Sequence, residues 1–375
     1  MRGDLQVGIL GVGSWGKNLL RNTVSQRGME LTAVCDVQAA ARRFAADTYA
    51  RAAVYDEPAR FFDHPGLNAV IVATPPDAHF EHATTALELG LHVLVEKPLC
   101  RSAGDACTLI ELGERKRRVL MVGHTFLYSN LVHEVKRRID GGELGRVFYI
   151  HGQRLNLGQI RKDADVIWNF APHDISIAAY LLDSWPTAVN ARGAFFLQPE
   201  EPIADVAFFQ MEFPGGVLVS GHVSWLDPQK SRKMVIVGSE KMLMYDDMDS
   251  NRHIQVFDKS VAVEFRSPSR DFCDFRTRVR AGDLVIPHIQ LEEPLHVEIA
   301  HFGECVRSGR TPRTDGRHGL QTICVLEALS KSLMAQGERV LVDYAHAEPV
   351  VRARAGVEKL AKRALQPDAL LLGST

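Results

Sequence analysis

The sequence predicts an α/β protein of two domains, an N-terminal doubly wound parallel sheet and a C-terminal α+β domain with a large, mostly antiparallel open sheet. Three observations indicate this. The chain has 375 residues, which suits two domains of roughly 100 to 200 residues each. Short β-branched runs alternate with helical patterns in the first third, as in βαβ units. Longer strand-like runs with few helices between them follow, which favours an antiparallel sheet.

The first domain is predicted to span residues 1–124. Its strand-like runs are QVGILGV, LTAVCD, NAVIVATP, HVLVEKP and RVLMVGHT. The helical patterns between them, such as ATTALELG and CTLIELGERKRR, end in glycine or in basic residues, as helix ends prefer. The order of strands and helices therefore predicts parallel strands with helices on both faces of the sheet.

The second domain is predicted to span residues 125–346. Its strand-like runs include RVFYIHGQRLN, VAFFQMEF, GGVLVSGHVSWL, SRKMVIVG and KMLMYDD. Two helical patterns, PLHVEIAHFGECVRSG and HGLQTICVLEALSKSLMAQG, close the domain. Residues 347–375 form a basic, helix-prone tail, which we expect to be helical or partly disordered.

Composition excludes several classes of function. The formal net charge of −2 gives no general attraction to nucleic acid or to an acidic membrane surface. No apolar run approaches the roughly 20 residues that span a bilayer, and a strand-like run begins almost at once, so we expect a cytoplasmic protein without a signal peptide. The six cysteines form no CxxC pair and no other metal-ligand spacing stands out, so we expect no metal.

The stretch GILGVGSWGKN carries a phosphate-binding pattern. Gly11, Gly13 and Gly16 form GxGxxG after a strand and at the start of a helix, which is the context that the motif needs. The first glycine makes a tight turn, the second lets the backbone approach a pyrophosphate, and the third lets helix and strand pack closely. Ser14 and Trp15 would present backbone N–H groups to the pyrophosphate. A merely tight strand-to-helix turn is the alternative.

An acidic residue at the end of the second strand supports the dinucleotide interpretation. Asp36 lies 20 residues after Gly16, the spacing at which a carboxylate meets the adenosine ribose hydroxyls. The carboxylate would repel a 2′-phosphate, so NAD is favoured over NADP. Arg42 and Arg43 could soften that preference, although a solvated helical face explains them as well. An exposed Asp36 that caps the next helix is the structural alternative.

The stretches VATPPDAHFEHA and VLVEKPLC follow the next two strands, at the sheet edge where open α/β sheets bind ligands. We expect Thr74, Pro75 and His79 to line the nicotinamide site there. Lys97 precedes Pro98, which biases the lysine towards an extended conformation at the strand end. A desolvated lysine has a lowered pKa and can hydrogen-bond a reacting hydroxyl or carbonyl. A surface lysine is the alternative.

The stretch WNFAPHDISIAAYLL predicts a helix with Pro172 in its first turn. Asn169 and His173 are four residues apart and so lie near one face. Imidazole suits the removal of a hydroxyl proton while a hydride leaves the same carbon, because its pKa is near working pH. A histidine buried in the core, with its hydrogen bonds satisfied, is the alternative.

With these motifs together, the chain resembles the glucose-fructose oxidoreductase and inositol dehydrogenase family (Gfo/Idh/MocA) from about residue 5 to 346. The resemblance implies an N-terminal Rossmann domain and a C-terminal domain whose open sheet forms the oligomer interface of a homodimer or homotetramer. It implies that Lys97 of EKP and His173 of PHDI form the catalytic pair, with Glu96 near the nicotinamide ribose. It also implies a cis Lys97–Pro98 bond.

One position departs from the family. The family frequently has an aspartate four residues before the histidine, and this chain has Asn169. An amide can position a hydroxyl but cannot accept a proton from the imidazole. His173 would then work with Lys97 alone, or with Asp174.

A finer resemblance points to the substrate. The stretches GSWGKNLLRN, GHTFLYS, QRLNLGQIRKDADVIWN, SWLDPQKSR and VGSEKMLMYDD look like family members similar to nucleotide-sugar 3-dehydrogenases. A diphosphate needs basic and amide groups, although ordinary sheet-edge and loop charges are the alternative. Besides Lys97, Asn169 and His173, the predicted substrate contacts are His124, Arg154, Asn156, Arg161 and Trp168.

These residues predict an NAD-dependent oxidoreductase acting on a secondary alcohol, C3 of a nucleotide-linked sugar, in unusual-sugar or polysaccharide biosynthesis. His173 would move the hydroxyl proton, Lys97 would polarise the oxygen and Asn169 would orient the sugar. The alternatives are a dehydrogenase of a free polyol such as inositol, a keto-sugar reductase, and an NAD-binding regulatory protein without turnover.

Overall fold

The computed structural model describes residues 4–158, 160–265 and 275–345. Its first sheet has six parallel strands in the order β3-β2-β1-β4-β5-β6, which confirms the predicted Rossmann sheet. The strands are β1 Leu5–Leu10, β2 Met29–Cys35, β3 Ala53–Tyr55, β4 Ala69–Val72, β5 His92–Glu96 and β6 Leu120–Gly123. The helices between them are α1 Gly16–Val24, α2 Ala39–Thr48, α3 Pro58–Phe62, α4 His79–Glu88 and α5 Ala103–Lys116.

The strand order fixes where a ligand can bind. From β1 the chain runs outward to β2 and β3, and then returns to the other side of β1 to form β4. The connections that leave the carboxyl ends of β1 and β4 therefore diverge, and a crevice opens between them. Four of the six strands consist mainly of fully buried β-branched and aliphatic residues, as a sheet covered on both faces requires.

The second sheet has nine strands in the order β14-β13-β12-β11-β7-β10-β9-β8-β15. All neighbours pair antiparallel except β7 and β10, which confirms a large, mostly antiparallel sheet. The strands are β7 Val147–Leu157, β8 Ala188–Ala194, β9 Val206–Glu212, β10 Leu218–Ser224, β11 Leu226–Gly238, β12 Met242–Asp246, β13 Ile254–Phe265, β14 Phe275–Val285 and β15 Val340–Leu341. The accompanying helices are α6 Asn130–Asp140, α7 Val166–Leu182, α8 Pro294–Ser308 and α9 Gly316–Met334.

Helix α8 crosses back to the first sheet. Its buried residues Leu295, Ile299 and Phe302 share one apolar cluster with Val7 and Leu19 of the N-terminal half. The sequence places this helix in the second domain, whereas its apolar face packs in the first core. We therefore propose that α8 belongs to the N-terminal layer, beyond the boundary at residue 124.

Helix α7 begins earlier than the sequence predicts. Asp165 caps it by accepting a hydrogen bond from the Trp168 backbone N–H (2.9 Å), and the helix begins at Val166. Pro172 therefore lies inside the helix, and the prediction that it occupies the first turn is wrong. The cap decides the start, because the Asp165 carboxylate satisfies a donor of the first turn.

Two further predictions concern the C-terminal tail and membrane-spanning segments. The tail predicted for residues 347–375 lies outside the described residues. Within the described part of the chain, none of the helices is both long enough and apolar enough to cross a membrane.

Candidate active site

A cavity of about 860 Å³ opens at the carboxyl ends of β1, β4 and β5, between the two sheets. Fourteen of the eighteen predicted site residues line it. They are Gly11, Gly13, Ser14, Trp15, Gly16, Asp36, Thr74, Pro75, His79, Glu96, Lys97, Arg161, Asn169 and His173. The other four, His124, Arg154, Asn156 and Trp168, are not among the residues that form its wall.

The glycine turn has the shape that a pyrophosphate needs. Gly11 has a φ of 100°, and a Cβ there would lie 2.5 Å from the Ala73 carbonyl oxygen. A Cβ on Gly16 would overlap the carbonyl oxygen of Gly11. A Cβ on Gly13 would meet nothing within 4 Å, so this glycine is required by neither its backbone angle nor its protein neighbours. Gly13 therefore keeps backbone accessible at the start of α1, where N–H groups favour an anion.

Asp36 is fixed beside this turn by the backbone. Its Oδ2 accepts from the Val12 N–H and its Oδ1 from the Gln38 N–H, both at 2.7 Å. Arg42 donates to the carbonyl oxygens of Asp36 (3.0 Å) and Val37 (2.9 Å). On the sequence alone, a solvated helical face is one explanation of this arginine. Because each carboxylate oxygen can accept more than one hydrogen bond, Asp36 can still accept from ribose hydroxyls.

Trp15 and Glu96 connect the glycine turn to the end of β5. The indole Nε1 of Trp15 donates to Glu96 Oε1 at 2.6 Å, and the Lys97 backbone N–H donates to Glu96 Oε2 at 3.3 Å. Burial raises the pKa of the Glu96 carboxyl, and the Trp15 hydrogen bond opposes that rise. Trp15 thus contributes a side-chain contact in addition to the backbone N–H that the sequence predicts.

His79 and the cis Lys97–Pro98 bond shape the neighbouring strand ends. The two ring nitrogens of His79 lie 2.8 Å from the carbonyl oxygens of Thr74 and Pro98. His79 therefore braces the two stretches that follow β4 and β5, and its ring nitrogens are occupied by backbone. The Lys97–Pro98 peptide bond is cis, as the resemblance implies.

Lys97 reaches across the cavity to α7. Its Nζ donates to the backbone carbonyl oxygen of Asn169 at 2.8 Å. Burial lowers the pKa of the Lys97 ammonium; the Glu96 carboxylate opposes this, and the charges of Arg161 and Arg154 add to it. The lysine can therefore donate a hydrogen bond to a substrate oxygen and can also exchange its proton.

His173 lines the cavity from α7, as Asn169 does. Its ring lies with its centroid 4.9 Å from that of Phe126, edge to face. Burial lowers the pKa of His173 well below its usual value, and the charges of Lys97 and Arg154 lower it further. At neutral pH the imidazole is therefore uncharged and able to accept a proton.

Arg154 and Asp174 form a buried ion pair. Arg154 Nη2 donates to Asp174 Oδ1 at 2.9 Å, both side chains are buried, and the guanidinium lies 4.7 Å from the Phe126 ring centroid. Arg154 is buried and lies outside the cavity lining, so its predicted contact with substrate stays a prediction, and its charge acts on Lys97 and His173. Asp174 is engaged by Arg154, and Nδ1 of His173 has no hydrogen-bond partner within the described protein, so that nitrogen is not bonded to Asp174.

The other three predicted substrate residues also stand back from the wall. Trp168 Nε1 donates to Ser330 Oγ on α9 at 2.9 Å. His124 is 1% exposed. Asn156 is half-buried near the end of β7 and outside the cavity lining. Position along the sequence placed these residues near the site, but the direction of each side chain is set by tertiary packing.

Several cavity residues were missed by the sequence reasoning. Arg232 of β11 donates to Asp247 Oδ2 at 3.1 Å, and both line the cavity. They are the last residues of SWLDPQKSR and VGSEKMLMYDD. The resemblance of these two stretches to nucleotide-sugar 3-dehydrogenases was the sequence signal that could have identified them. The remaining missed residues include Arg101, Thr125, Phe126 and Glu293.

The described residues fit NAD. The Gly11 to Gly16 turn and the start of α1 would hold the pyrophosphate, Asp36 the adenosine ribose, and Thr74, Pro75 and Glu96 the nicotinamide half. Bound NAD supplies a hydride acceptor. Lys97 and His173 lie at the end of the cavity where that acceptor would be.

Comparison with known proteins gives matches over most of the chain. Residues 5–124 match the model of the oxidoreductase family with an NAD-binding Rossmann fold, and residues 132–244 match the Gfo/Idh/MocA C-terminal domain. The chain is 26% identical over 328 residues to scyllo-inositol 2-dehydrogenase (NAD(+)) of Bacillus subtilis, covering 83% of this chain and 89% of that protein. It is 32% identical over 186 residues to inositol 2-dehydrogenase of Salmonella typhimurium, covering 48% of this chain and 55% of that protein.

Solved structures share the fold. UDP-N-acetylglucosamine 3-dehydrogenase GnnA from Acidithiobacillus ferrooxidans has a TM-score of 0.69 at 22% identity, with 88% of this chain and 97% of that chain covered. An inositol dehydrogenase homolog from Azotobacter vinelandii, complexed with NAD+, has a TM-score of 0.73 at 21% identity, with coverages of 91% and 98%. At these identities the likeness is one of fold.

Proposed function

This chain belongs to the Gfo/Idh/MocA family of NAD-binding oxidoreductases, and on that premise we propose that it transfers hydride between C3 of a nucleotide-linked sugar and nicotinamide. One observation carries the substrate class: Arg161 and Arg232 line the same cavity as Lys97 and His173. Guanidinium groups match phosphate oxygens in geometry and charge. The activity would serve the biosynthesis of unusual sugars or polysaccharides.

The charges of the site support an anionic substrate. Arg161 contributes to the lowered pKa of Lys97, and Arg232 to the lowered pKa of His173, in each case as a smaller cause than burial. Their positive charges therefore reach the reacting end of the cavity. Arg161 is paired with Asp163 and Arg232 with Asp247. A guanidinium has five N–H donors, more than one carboxylate takes up, so both arginines can also bind a diphosphate, whereas a neutral polyol would offer them no charge.

The proposed chemistry uses three side chains. Nδ1 of His173 is buried, which leaves Nε2 to take the hydroxyl proton. Lys97 donates a hydrogen bond to the same oxygen and stabilises it as the carbonyl forms. Asn169 offers its side-chain amide to a neighbouring hydroxyl. Reduction of a keto-sugar uses the same groups in reverse.

A free polyol is the second candidate substrate. Two similar proteins are named inositol dehydrogenases, and Asp247 adds a carboxylate to the cavity wall that can accept from polyol hydroxyls. A regulatory protein without turnover is a weaker candidate, because Lys97 and His173 are both present and both line the cavity.

The deciding experiment mixes the purified protein with NAD and a panel of UDP-sugars, dTDP-sugars and free polyols, and follows NADH. A 2-oxo acid is added in parallel to reoxidise cofactor that stays bound. We expect turnover on a nucleotide sugar, followed by product NMR to identify the oxidised carbon. Turnover on polyols alone would replace this proposal with the second candidate.

Variants of Arg161 and Arg232 test whether these two arginines bind the substrate. We expect Arg161→Gln and Arg232→Gln to raise KM for a nucleotide sugar about 10- to 100-fold, because a hydrogen bond to a charged group contributes about 1.5–3 kcal/mol. KM for a free polyol should change little. Arg60→Gln is the matched control, since Arg60 is an exposed arginine outside the cavity.

We also propose a homodimer or homotetramer formed through the second sheet. Its outer face carries Tyr149, Phe208 and Leu218, which are 39–55% exposed, and Tyr149 faces Leu218 across the β7–β10 pair. Alternation along β9 buries Phe209 on the inner face and exposes Phe208 on the outer one. Light scattering after gel filtration tests this: Phe208→Glu should shift the mass towards the monomer, and an unchanged mass would contradict this interface.

A further inference from the structure

Three histidines, called the histidine group here, lie at the cavity wall and behind it. His173 lines the cavity, His124 follows β6 and is 1% exposed, and His318 lies in the first turn of α9 and is half-buried. The ring centroids of His124 and His318 are 4.9 Å apart. Phe126 follows His124 by two residues, and its ring centroid lies 4.9 Å from that of His173; the charge of His124 also acts on His173. The histidine group therefore includes the base in the cavity and a partly exposed residue outside the cavity lining.

Four ring nitrogens of this histidine group are buried and have no hydrogen-bond partner within the described protein. They are Nδ1 of His173, both nitrogens of His124 and Nδ1 of His318. A buried polar atom without a partner costs about 1–3 kcal/mol, so four of them in one group of side chains indicate polar partners from solvent. A metal is not indicated, since no three His, Cys, Asp or Glu side chains in the described ranges are placed to hold one.

The proposed reaction needs a path by which a proton can leave His173 for solvent. With cofactor and substrate in the cavity, Nε2 of His173 faces the substrate and cannot release its proton to solvent. Burial and the charges of Lys97 and Arg154 disfavour the imidazolium. Asn169 has no carboxylate to stabilise that charge, and Asp174 is held by Arg154.

We propose that His124 and His318, with water bound to their ring nitrogens, relay a proton from Nδ1 of His173 to solvent. This inference rests on the proposed function. As the substrate O–H bond breaks, its proton binds Nε2 of His173 and the Nδ1 proton leaves for the water beside His124. His124 takes up one proton and releases another towards His318, and one proton enters solvent there. The hydride leaves the substrate carbon separately, for the nicotinamide.

The relay requires only tautomer exchange. A neutral imidazole carries one N–H and one acceptor nitrogen, so each ring can accept on one side while it donates on the other. No ring has to hold a positive charge, which agrees with the lowered pKa values of His124 and His318 caused by burial. After the product leaves, Nε2 of His173 exchanges with bulk water and the tautomers return.

The first test does not depend on activity. A crystal structure of the whole protein, at a resolution that shows ordered water, should reveal water within hydrogen-bond distance of His124 Nδ1 and Nε2, linking that ring to His173 and to His318. Absence of ordered water from these ring nitrogens would overturn the relay.

The second test is kinetic. We expect His124→Ala to lower kcat about tenfold or more, to raise the solvent deuterium isotope effect on kcat, and to recover activity with millimolar imidazole, which fits the space of the removed ring. His124→Phe should be impaired without rescue, because the phenyl ring fills that space. His133→Phe, at a half-buried histidine outside the cavity lining, is the matched control.

The outcomes separate the two proposals. An active parent whose His124 variants keep kcat and isotope effect within twofold, or whose alanine variant gains nothing from imidazole, overturns the relay and leaves the proposed function standing. A parent without turnover on any sugar overturns the proposed function and, with it, the relay that rests on it.

Discussion

The two walls of the cavity are built in different ways. The wall that fits the dinucleotide is largely backbone: a glycine turn, the start of α1, and the Asp36 carboxylate bound by two peptide N–H groups. The other wall, here called the side-chain wall, is made of side chains from separate elements: His173 on α7, Arg232 on β11, and Lys97, which follows β5 and reaches across the cavity to α7. Backbone recognition depends on local conformation, whereas the reacting end depends on long-range packing.

Mutations on the two walls should therefore have different effects. A change on the backbone wall should affect cofactor binding, and often folding, because the same peptide groups bind the cofactor and hold the turn together. A change on the side-chain wall should affect turnover while the protein stays folded.

The largest expected effect is on the side-chain wall. His173→Ala should lower kcat by about 10² to 10⁴, because that is the usual contribution of a general base. Lys97→Ala should have an effect in the same range, since it removes the donor to the substrate oxygen. NADH binding, followed by fluorescence titration, should stay within a few-fold of the parent. Turnover of both variants within a few-fold of the parent would show that the catalytic assignment is wrong.

The same contrast explains what the sequence could and could not predict. The Rossmann sheet followed from β-branched runs at regular spacing, and the glycine turn from three residues whose roles are local. Arg154 was predicted at the substrate from its place in the sequence, which does not encode its buried ion pair with Asp174 or its position outside the cavity lining. Arg232 and Asp247 are paired by the antiparallel register of β11 and β12, which sets Lys233 opposite Asp246. They were missed because their place in the cavity wall depends on how these strands pack against the first domain, which no local pattern encodes.

Substitutions at Gly13 and Gly16 should separate the effect on stability from the effect on NADH binding. Gly13→Ala should leave the melting temperature nearly unchanged, since a Cβ there meets nothing within 4 Å, and should raise the Kd for NADH about tenfold or more by blocking the pyrophosphate. Gly16→Ala should lower both stability and binding, because its Cβ would overlap the Gly11 carbonyl oxygen. If Gly13→Ala bound NADH like the parent, the turn would be no phosphate cradle.

A smaller effect is expected at the adenosine end. The parent should bind NADH more tightly than NADPH, because the Asp36 carboxylate repels a 2′-phosphate. Asp36→Asn should narrow that preference by removing the charge while keeping an acceptor for one of the two backbone N–H groups. Arg43→Gln, at an exposed residue of α2, is the control. Tighter binding of NADPH by the parent, with no change in Asp36→Asn, would contradict this role.

The smallest effect concerns Glu298, a fully buried residue of α8 whose Oε2 accepts from Thr125 Oγ1 at 2.8 Å, directly behind the cavity wall. Burial, and then the charge of Glu96, raise its pKa well above the usual 4.5. Above pH 4.5 the unfolded chain ionises this carboxyl while the folded protein keeps it neutral, so stability is lost as pH rises.

Glu298→Gln keeps the shape and the acceptor of the neutral acid and removes that loss. At pH 8 it should be more stable than the parent by about 1 kcal/mol or more in urea unfolding, since one pKa unit corresponds to about 1.4 kcal/mol. The gain should disappear below pH 4.5, where Glu298 is neutral in both states, and Glu304→Gln on the exposed side of α8 should show no such gain. A gain independent of pH would mean that packing, and not the protonation of this carboxyl, separates the variant from the parent.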